Sequence, residues 1–420
     1  MNCLQPENSF IVTEELRAEA IHSLPSRQLA FGPIVASTPD NTPMFRVQTA
    51  ASMESAFVTW FTTPNRDTHE AAYLATMQYD QAQTLQMGTG ADTSCVAIND
   101  QVFASWVYRP AGNNAWNLNV SAISTYDQRP HTEYVCDIFE LNTAPEIFLY
   151  RGEPTVAALT GGLVNEKARF CFYSLKGREI TSVDVRADRN STMRIASDGA
   201  RIFAAVLCQL ELRVYGFDGT NWSTLSTLPA NETSSELNVC RFDMVFAAGQ
   251  LFIAFEIIGD FNLNIAVIDV RSGAIDEIHP FSMHGKFPSL ASNGETVVIS
   301  WSGMPPLLEG FRTRSHAAKL VSLALWDDAD EKVLQQTTKL FGVRDAEDAK
   351  LFGSGPWSHL WCATLDLAGH CERFYGPLGF GWRSNWHTQI SCHGSNGVMA
   401  VLSGGDQDST CLLARRFSIS

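Results

Sequence analysis

A four-residue pattern recurs eight times along this chain and limits its fold more than any single residue does. Each copy is mostly apolar and ends on a large or branched side chain. The copies occupy residues 57–60, 103–106, 156–159, 203–206, 252–255, 298–301, 358–361 and 399–402. Their last residues are 46, 53, 47, 49, 46, 60 and 41 positions apart. A period in the forties with strand-like content is typical of the blades of a β-propeller.

The residues around each copy complete a four-stranded blade. A short strand and a tight turn precede the copy, as in residues 93–100, 193–199 and 287–294, where Asn-Asp, Asp-Gly and Asn-Gly form the turns. These pairs tolerate the positive φ angles of two-residue hairpin loops. Candidate third strands follow at residues 73–79, 118–123, 170–175, 210–217, 263–270, 320–326 and 411–417, and candidate fourth strands at 133–141, 180–185 and 274–278.

The number of blades depends on the degenerate copy that ends at Trp361. Eight copies favour eight blades, whereas seven remain if the segment around Trp361 is an insertion. A long β-sandwich or two stacked β domains would be the alternative all-β arrangements, but neither explains the near-constant spacing. We therefore predict an all-β fold, a single closed propeller of seven or eight four-stranded blades.

The two ends of the chain predict how the ring closes. The last unit stops at its third strand, residues 411–417, and an unpaired strand edge would promote aggregation. The N-terminal segment is expected to supply the missing outer strand, with residues 28–36 or 10–14 as candidates. The expected organisation is one domain over residues 1–420, with an N-terminal segment at 1–40 and blades over 41–420.

The charge of the chain limits its partners. It carries 30 basic and 45 acidic residues, a net charge of −15, so neither a nucleic-acid backbone nor an anionic membrane is an expected partner. No stretch approaches the roughly 18 apolar residues of a membrane span. The N-terminus lacks the regions of a signal peptide. We expect a cytoplasmic monomer, with secretion left open if the N-terminus has been trimmed.

The ten cysteines are scattered and show no C-x-x-C spacing. Zinc fingers and thioredoxin-type motifs are therefore absent. Several cysteines fall inside predicted strands, where a thiol acts as a small apolar side chain. We predict that all ten are free thiols: Cys3, Cys95, Cys136, Cys171, Cys208, Cys240, Cys362, Cys371, Cys392 and Cys411.

No specific catalytic motif identifies the protein. The Walker loop, the G-x-S-x-G elbow, the H-E-x-x-H motif and the Asp boxes of sialidases are all missing. The copies with their hairpins, such as residues 288–294 followed by Ser300 and Trp301, resemble the degenerate blades of sialidase-like and lectin-like propellers. Propellers of this kind bind at one end of the channel, on loops between second and third strands and between blades.

Three loops in those positions are longer than a minimal hairpin. They span residues 62–70, 107–116 and 303–317 and carry an excess of basic and aromatic groups. If they lie on one face, these side chains could meet over the channel mouth. The predicted ligand-binding residues here are Arg66, Tyr108, Arg109, Trp116, Arg312 and Arg314, with His69 and His316 as candidate catalytic residues.

A second concentration of aromatic and basic residues lies between Pro356 and Gly394. It contains four of the ten histidines and four of the ten tryptophans. Aromatic rings beside cationic donors suit a sugar or a flat organic ligand, which stacks on a ring and forms hydrogen bonds at its edge. The predicted ligand-binding residues here are Trp357, Trp382, Arg383 and Trp386, and His387 is a further catalytic candidate.

Three functions follow from these features. The first is a lectin-like propeller that binds a small organic or carbohydrate ligand at the channel mouth. The second is an enzyme with one pocket there, either a hydrolase or lyase using His and Arg or a cyclase-type biosynthetic enzyme. The third is a protein-interaction scaffold, which would expose a broad apolar patch. We predict no cofactor and no metal, because the histidines show no fixed spacing.

Overall fold

A computed structural model describes residues 29–420 except 37–43, 63–69, 79–80, 100, 125–128, 163–166, 210, 229–238, 258–261, 283–284, 304–305, 307–359, 379–384 and 405–409. Within these described residues the chain forms 28 strands and no helix. It follows that none of them belongs to a helix long and apolar enough to cross a membrane.

The strands form seven antiparallel sheets of four. Blades one to three comprise β2 (Met44–Ala51), β3 (Ala56–Thr62), β4 (Ala71–Gln78) and β5 (Gln81–Thr89); β6 (Ala91–Ile98), β7 (Gln101–Tyr108), β8 (Ala115–Ser124) and β9 (Pro130–Phe139); and β10 (Leu141–Tyr150), β11 (Glu153–Gly161), β12 (Lys167–Ser174) and β13 (Glu179–Arg186). Blades four and five comprise β14 (Thr192–Ser197), β15 (Ile202–Cys208), β16 (Glu211–Phe217) and β17 (Trp222–Leu228); and β18 (Val239–Ala247), β19 (Gln250–Ile257), β20 (Leu263–Asp269) and β21 (Ile275–Ser282).

The remaining two blades complete the ring. Blade six comprises β22 (Lys286–Ser292), β23 (Val297–Ser302), β24 (Leu360–Leu365) and β25 (Cys371–Leu378), and blade seven comprises β26 (Asn385–His393), β27 (Asn396–Gly404), β28 (Thr410–Ile419) and β1 (Leu29–Ala36). The first strands of neighbouring blades contact one another around the ring. They are therefore the innermost strands and surround the central channel.

Of the two predicted blade numbers, seven is right. The copy at residues 298–301 lies in β23, whereas Trp361 lies in β24 of the same sheet, directly opposite Trp301. The degenerate copy that ends at Trp361 thus belongs to the third strand of blade six, and the other seven copies mark the seven second strands. The degenerate copy resembles a second strand because all six residues of β24 are buried. The predicted third strand at 320–326 lies outside the described residues, and β24 holds its place in the sheet.

The repeated pattern reflects burial of the second strand on both faces. All seven residues of β15 and all six of β23 are buried. Small residues such as Ala204 and Ala254 are fully buried there and let neighbouring blades approach closely. Large residues such as Trp60 and Trp301 fill the wider space between blades. Continuous apolar runs of this kind are typical of strands covered on both sides.

The N-terminal strand closes the ring as predicted. β1 pairs antiparallel with β28, from Leu29 opposite Ile419 to Ala36 opposite Leu413. The Leu29 N–H also donates to the Tyr375 hydroxyl of blade six at 2.7 Å. The candidate at 28–36 therefore supplies the outer strand, while the other candidate, 10–14, lies outside the described residues.

Seven cysteines in the described part of the chain are free thiols, as predicted. They are Cys95, Cys136, Cys171, Cys208, Cys362, Cys371 and Cys392. The side chains of Cys3, Cys240 and Cys411 lie outside the described part. Burial raises the pKa of Cys95 to about 12, and burial together with Asp137 raises the pKa of Cys136 to about 11.

These raised pKa values predict slow alkylation. At pH 8 the native Cys95 and Cys136 should react with iodoacetamide at least about a hundredfold more slowly than a free cysteine, because the thiolate is the nucleophile. Their rates should continue to rise up to about pH 11 or 12, where the thiolates form. Peptide mass spectrometry after timed labelling measures each site, and the urea-unfolded chain is the control. Rapid labelling of both sites in the native protein at pH 8 would contradict the prediction.

Candidate functional site

The innermost strands expose one edge to the channel, where no other strand of the described residues pairs with them. Buried backbone N–H groups at such an edge need other acceptors. Side chains of the preceding blade supply them in four places. Ile147 donates to Ser94 Oγ (3.2 Å), Ile195 to Glu146 Oε2 (3.0 Å), Leu290 to Asp243 Oδ2 (2.7 Å) and Ile390 to Ser289 Oγ (3.1 Å).

Two of these acceptors are carboxylates, and Arg194 joins them. Its Nη1 donates to Glu146 Oε1 at 2.9 Å and its Nε to Asp243 Oδ1 at 3.0 Å, so the triad spans blades three, four and five. Burial lowers the pKa of Arg194, but the two carboxylates together raise it above its usual value. Because each carboxylate also accepts a backbone N–H, this triad ties the blades together.

Arg46 lies in blade one and is held more loosely. Its Nη1 is 3.4 Å from Asp92 Oδ1, and its Nη2 is 3.5 Å from the Ala144 carbonyl oxygen. Burial, opposed by Asp92, lowers the pKa of Arg46. The backbone φ angles of Arg46, Asp92 and Phe287 are 49°, 56° and 53°. Left-handed conformations of such residues each cost about 1 kcal/mol or more, and they cluster at functional sites.

Arg241 and Phe287 form the part of the channel wall in blades five and six. The Arg241 guanidinium carbon lies 4.2 Å from the centroid of the Phe287 ring, within the range of a cation–π contact. Arg241 Nη1 also lies 3.1 Å from Glu256 Oε2. The Arg241 side chain remains 46% exposed, so it retains access to the channel.

We call this set the channel belt: Arg46, Asp92, Glu146, Arg194, Arg241, Asp243 and Phe287. Its members belong to the innermost strands of blades one to six. Most lie near the start of those strands, at the end of the channel that also carries the links between blades and the loops between second and third strands. The belt offers guanidinium donors, carboxylate acceptors and an aromatic ring. Within the described part of the chain no cluster of three metal-binding side chains occurs.

Of the residues predicted from the loops, the structure brings Arg109 and Trp116 together. The Arg109 guanidinium carbon lies 5.8 Å from the Trp116 ring centroid, and its Nε donates to the Asn113 carbonyl oxygen at 3.1 Å. Arg109 is exposed, whereas Trp116 packs against the core between blades two and three. Tyr108 precedes Arg109 in sequence, is the last residue of β7 and is half-buried. All three lie at the belt end of the ring.

The other predicted residues have no described side chain. Trp386 and His387 belong to β26, but their side chains lie outside the described part. Arg66, His69, Arg312, Arg314, His316, Trp357, Trp382 and Arg383 lie wholly outside it. Their part in a site therefore stays a prediction.

Sequence reasoning missed the channel belt. The available signal was a charged residue within the first strand of a repeat that is otherwise apolar, as at Arg46, Glu146 and Arg194. Alternation alone assigns such residues to a solvated strand face. Only the ring shows that they converge on the channel.

Comparisons with known proteins support the fold. No family model and no curated protein matches the chain. It is similar to a solved Dyadobacter fermentans protein of unknown function at 7% identity and a TM-score of 0.50, covering 93% of this chain and 99% of that one. A phage phi92 endosialidase is 7% identical over 93% of this chain and 69% of that one, with a TM-score of 0.45.

A neuraminidase-like protein from A/bat/Guatemala/164/2009 is 9% identical over 65% of this chain and 89% of that one, with a TM-score of 0.40. At such low identities the likeness is one of fold. The described part of the chain is a seven-bladed β-propeller.

Proposed function

We propose that this protein binds a small polar ligand with an anionic group, such as an acidic sugar, at the belt end of its channel. The observation that carries the proposal is Arg46. It is a largely buried cation whose contacts, at 3.4 and 3.5 Å, are too long to use its donors fully. A carboxylate on the ligand could accept two parallel hydrogen bonds from this guanidinium.

Arg241 and Phe287 would complete the binding surface. The exposed part of the Arg241 side chain presents further donors to the channel, and Phe287 offers a ring against which a sugar or flat ligand can pack. Asp92 can accept hydrogen bonds from ligand hydroxyl groups. The triad of Arg194, Glu146 and Asp243 would hold these groups in place, because preorganised side chains lose less entropy on binding.

The loops at the same end would form the rim of the site. Arg109 is exposed there, stacked on Trp116, and the predicted loop residues outside the described part remain candidates for the same rim. The hydrogen bonds that Glu146 accepts favour binding over catalysis. Burial raises the pKa of its carboxyl, as a general acid would require, yet its two oxygens already accept from Arg194 and Ile195.

The test begins with a glycan array that includes acidic and neutral members, followed by calorimetry with N-acetylneuraminic acid, glucuronic acid and glucose. We expect the acidic sugars to bind and Arg46→Gln to weaken their binding at least about tenfold, the loss typical of a hydrogen bond to a charged group. Arg271→Gln removes the same charge from an exposed turn at the opposite end of the ring, and it should bind like the parent.

Two binding results would overturn this proposal. One is equal affinity of Arg46→Gln and the parent for the acidic sugar, and the other is that no acidic sugar binds at millimolar concentration. NMR spectra of the ligand after prolonged incubation distinguish binding from turnover. A changed ligand spectrum would identify an enzyme and would contradict the assignment of simple binding.

A further inference from the structure

A second cavity lies between blades two and three, away from the channel. It is an open groove of about 990 Å³, at the upper end of the range for ligand sites. It lies at the same end of the ring as the belt but toward the rim, since its walls include the outer strands β12 and β13. It is lined by Asn114, Phe139, Glu140, Thr160, Gly161, Lys167, Ala168, Arg169, Asp184, Val185 and Arg186.

Three cations concentrate on the wall that blade three contributes. Lys167 lies directly opposite Arg186 across the β12–β13 ladder, and Arg169 lies opposite Asp184. These facing positions bring the positive charges of Lys167 and Arg186 to one part of the wall, where an acidic group of a ligand could bind. Although the whole chain has a net charge of −15, the residues that line this groove include three cations and two carboxylates, and a third carboxylate, Glu179, pairs with Arg169.

The guanidinium groups are held in place before any ligand arrives. Arg186 Nη2 donates to Gln209 Oε1 of blade four at 2.7 Å, and Arg169 Nη2 lies 3.2 Å from Glu179 Oε1. The floor is also fixed, because the Gly161 N–H donates to the Glu140 carbonyl oxygen at 2.8 Å. A side chain at Gly161 would meet the Lys167 carbonyl oxygen at 2.8 Å, so the floor accepts only glycine without a shift.

The opposite wall ends on an exposed aromatic ring. Phe139, the last residue of β9, is 64% exposed. An exposed ring of this kind offers its face to the apolar face of a sugar. Asn114 and Thr160 supply polar groups that can form hydrogen bonds with hydroxyls. Cations on one side and a ring on the other suit a ligand that combines acidic groups with sugar rings.

We propose that this groove is a second binding site, for an oligosaccharide that carries carboxylate or sulfate groups. Lys167 and Arg186 bind the acidic groups, and Phe139 stacks on a sugar ring. The open shape of the groove favours an extended chain over a small enclosed molecule. This site shares no residue with the channel belt, so this proposal can be tested independently of the proposed function.

The experiment uses calorimetry on the full chain with three probes: a heparin-derived tetrasaccharide, tetragalacturonate and the neutral maltotetraose. We expect at least one acidic probe to bind and maltotetraose to fail. The double variant Lys167→Gln/Arg186→Gln should weaken binding at least about tenfold, as expected for two charged hydrogen-bond donors. The two acidic probes distinguish sulfate from carboxylate recognition.

The matched control is Lys176→Gln/Arg178→Gln. It removes the same charge from the β12–β13 turn, at the opposite end of the same two strands, and should leave affinity within about twofold if long-range charge effects are screened by salt. Phe139→Ala is a second test, because its exposed ring can be removed with little effect on folding, and it should also weaken binding. Arg46→Gln should bind these probes like the parent.

The proposal fails if the acidic probes do not bind at millimolar concentration. It also fails if the control variant loses as much affinity as the groove variant, since that would indicate only nonspecific attraction. Loss of groove binding in Arg46→Gln would place the oligosaccharide in the channel and overturn the assignment. If the groove variant does not fold, unchanged affinity of Phe139→Ala would contradict the proposal by itself.

Discussion

Replacement of Trp106 by alanine is expected to lower the free energy of unfolding by about 3–5 kcal/mol, the usual cost of deleting a large aromatic side chain from a core. Trp106 is 3% exposed and lies in the core between blades one and two. Gly88 and Gly90 pack against its indole so closely that a side chain at Gly90 would lie 2.5 Å from it. Collapse around the cavity is therefore limited, and urea unfolding measures the loss.

Arg109→Ala is the control for this prediction. Arg109 lies three residues later, is exposed, and makes one hydrogen bond and one cation–π contact within its own loop. Its removal should change the free energy of unfolding by less than about 1 kcal/mol, as for surface changes away from the core. Similar losses of unfolding free energy in the two variants would contradict the prediction that Trp106 stabilises the core while Arg109 does not.

Removal of residues 1–36 is expected to prevent stable closure of the ring. The deletion takes away β1 and leaves the edge of β28 without a partner over its whole length. It also removes Leu29, which packs in the core between blades six and seven. An exposed strand edge promotes pairing with other chains. We expect the shortened protein to aggregate or to unfold at much lower urea concentration, as measured by light scattering and circular dichroism.

Two point variants test the same closure without shortening the chain. Leu29 is buried and Ala30 is exposed, since successive residues of a strand point to opposite faces. Leu29→Asp places an unpaired charge in a core and should cost several kcal/mol, whereas Ala30→Asp should be nearly neutral. Equal stability of the two variants, or a fully stable deletion variant, would mean that β1 does not hold the ring closed.

The fold could be predicted because the second strand of every blade is covered on both faces. Burial on both faces requires a run of apolar residues in each second strand, and the repetition of the blade sets the spacing between these runs. The blade number could not be fixed in the same way. The third strand β24 is as buried as β23, so the residues around Trp361 match the pattern of a second strand although they lie one strand further out.

The site was harder to predict than the fold. Arg109 and Trp116 could be proposed from the sequence because long loops concentrate polar residues in one stretch, and their part in a site stays a prediction. Arg46 and Arg194 were missed because each is a single charge within its own strand, about 150 residues from the other. Their proximity depends on ring closure, so a local sequence pattern cannot predict it. The same applies to the facing cations Lys167 and Arg186, whose positions depend on the register of the β12–β13 ladder.

The pairing of β1 with β28 also has a consequence for the order of events during synthesis. Six blades are each made from consecutive residues, so each can form soon after it is made. Leu29 cannot pair with Ile419, its partner in blade seven, until that residue has been synthesised. At common rates of translation this happens roughly 20–80 s after the synthesis of Leu29. β1, the first strand of the described residues, is thus among the last of them to pair. Until then, blade seven lacks its outer strand, and the nascent chain must be kept from pairing with its neighbours.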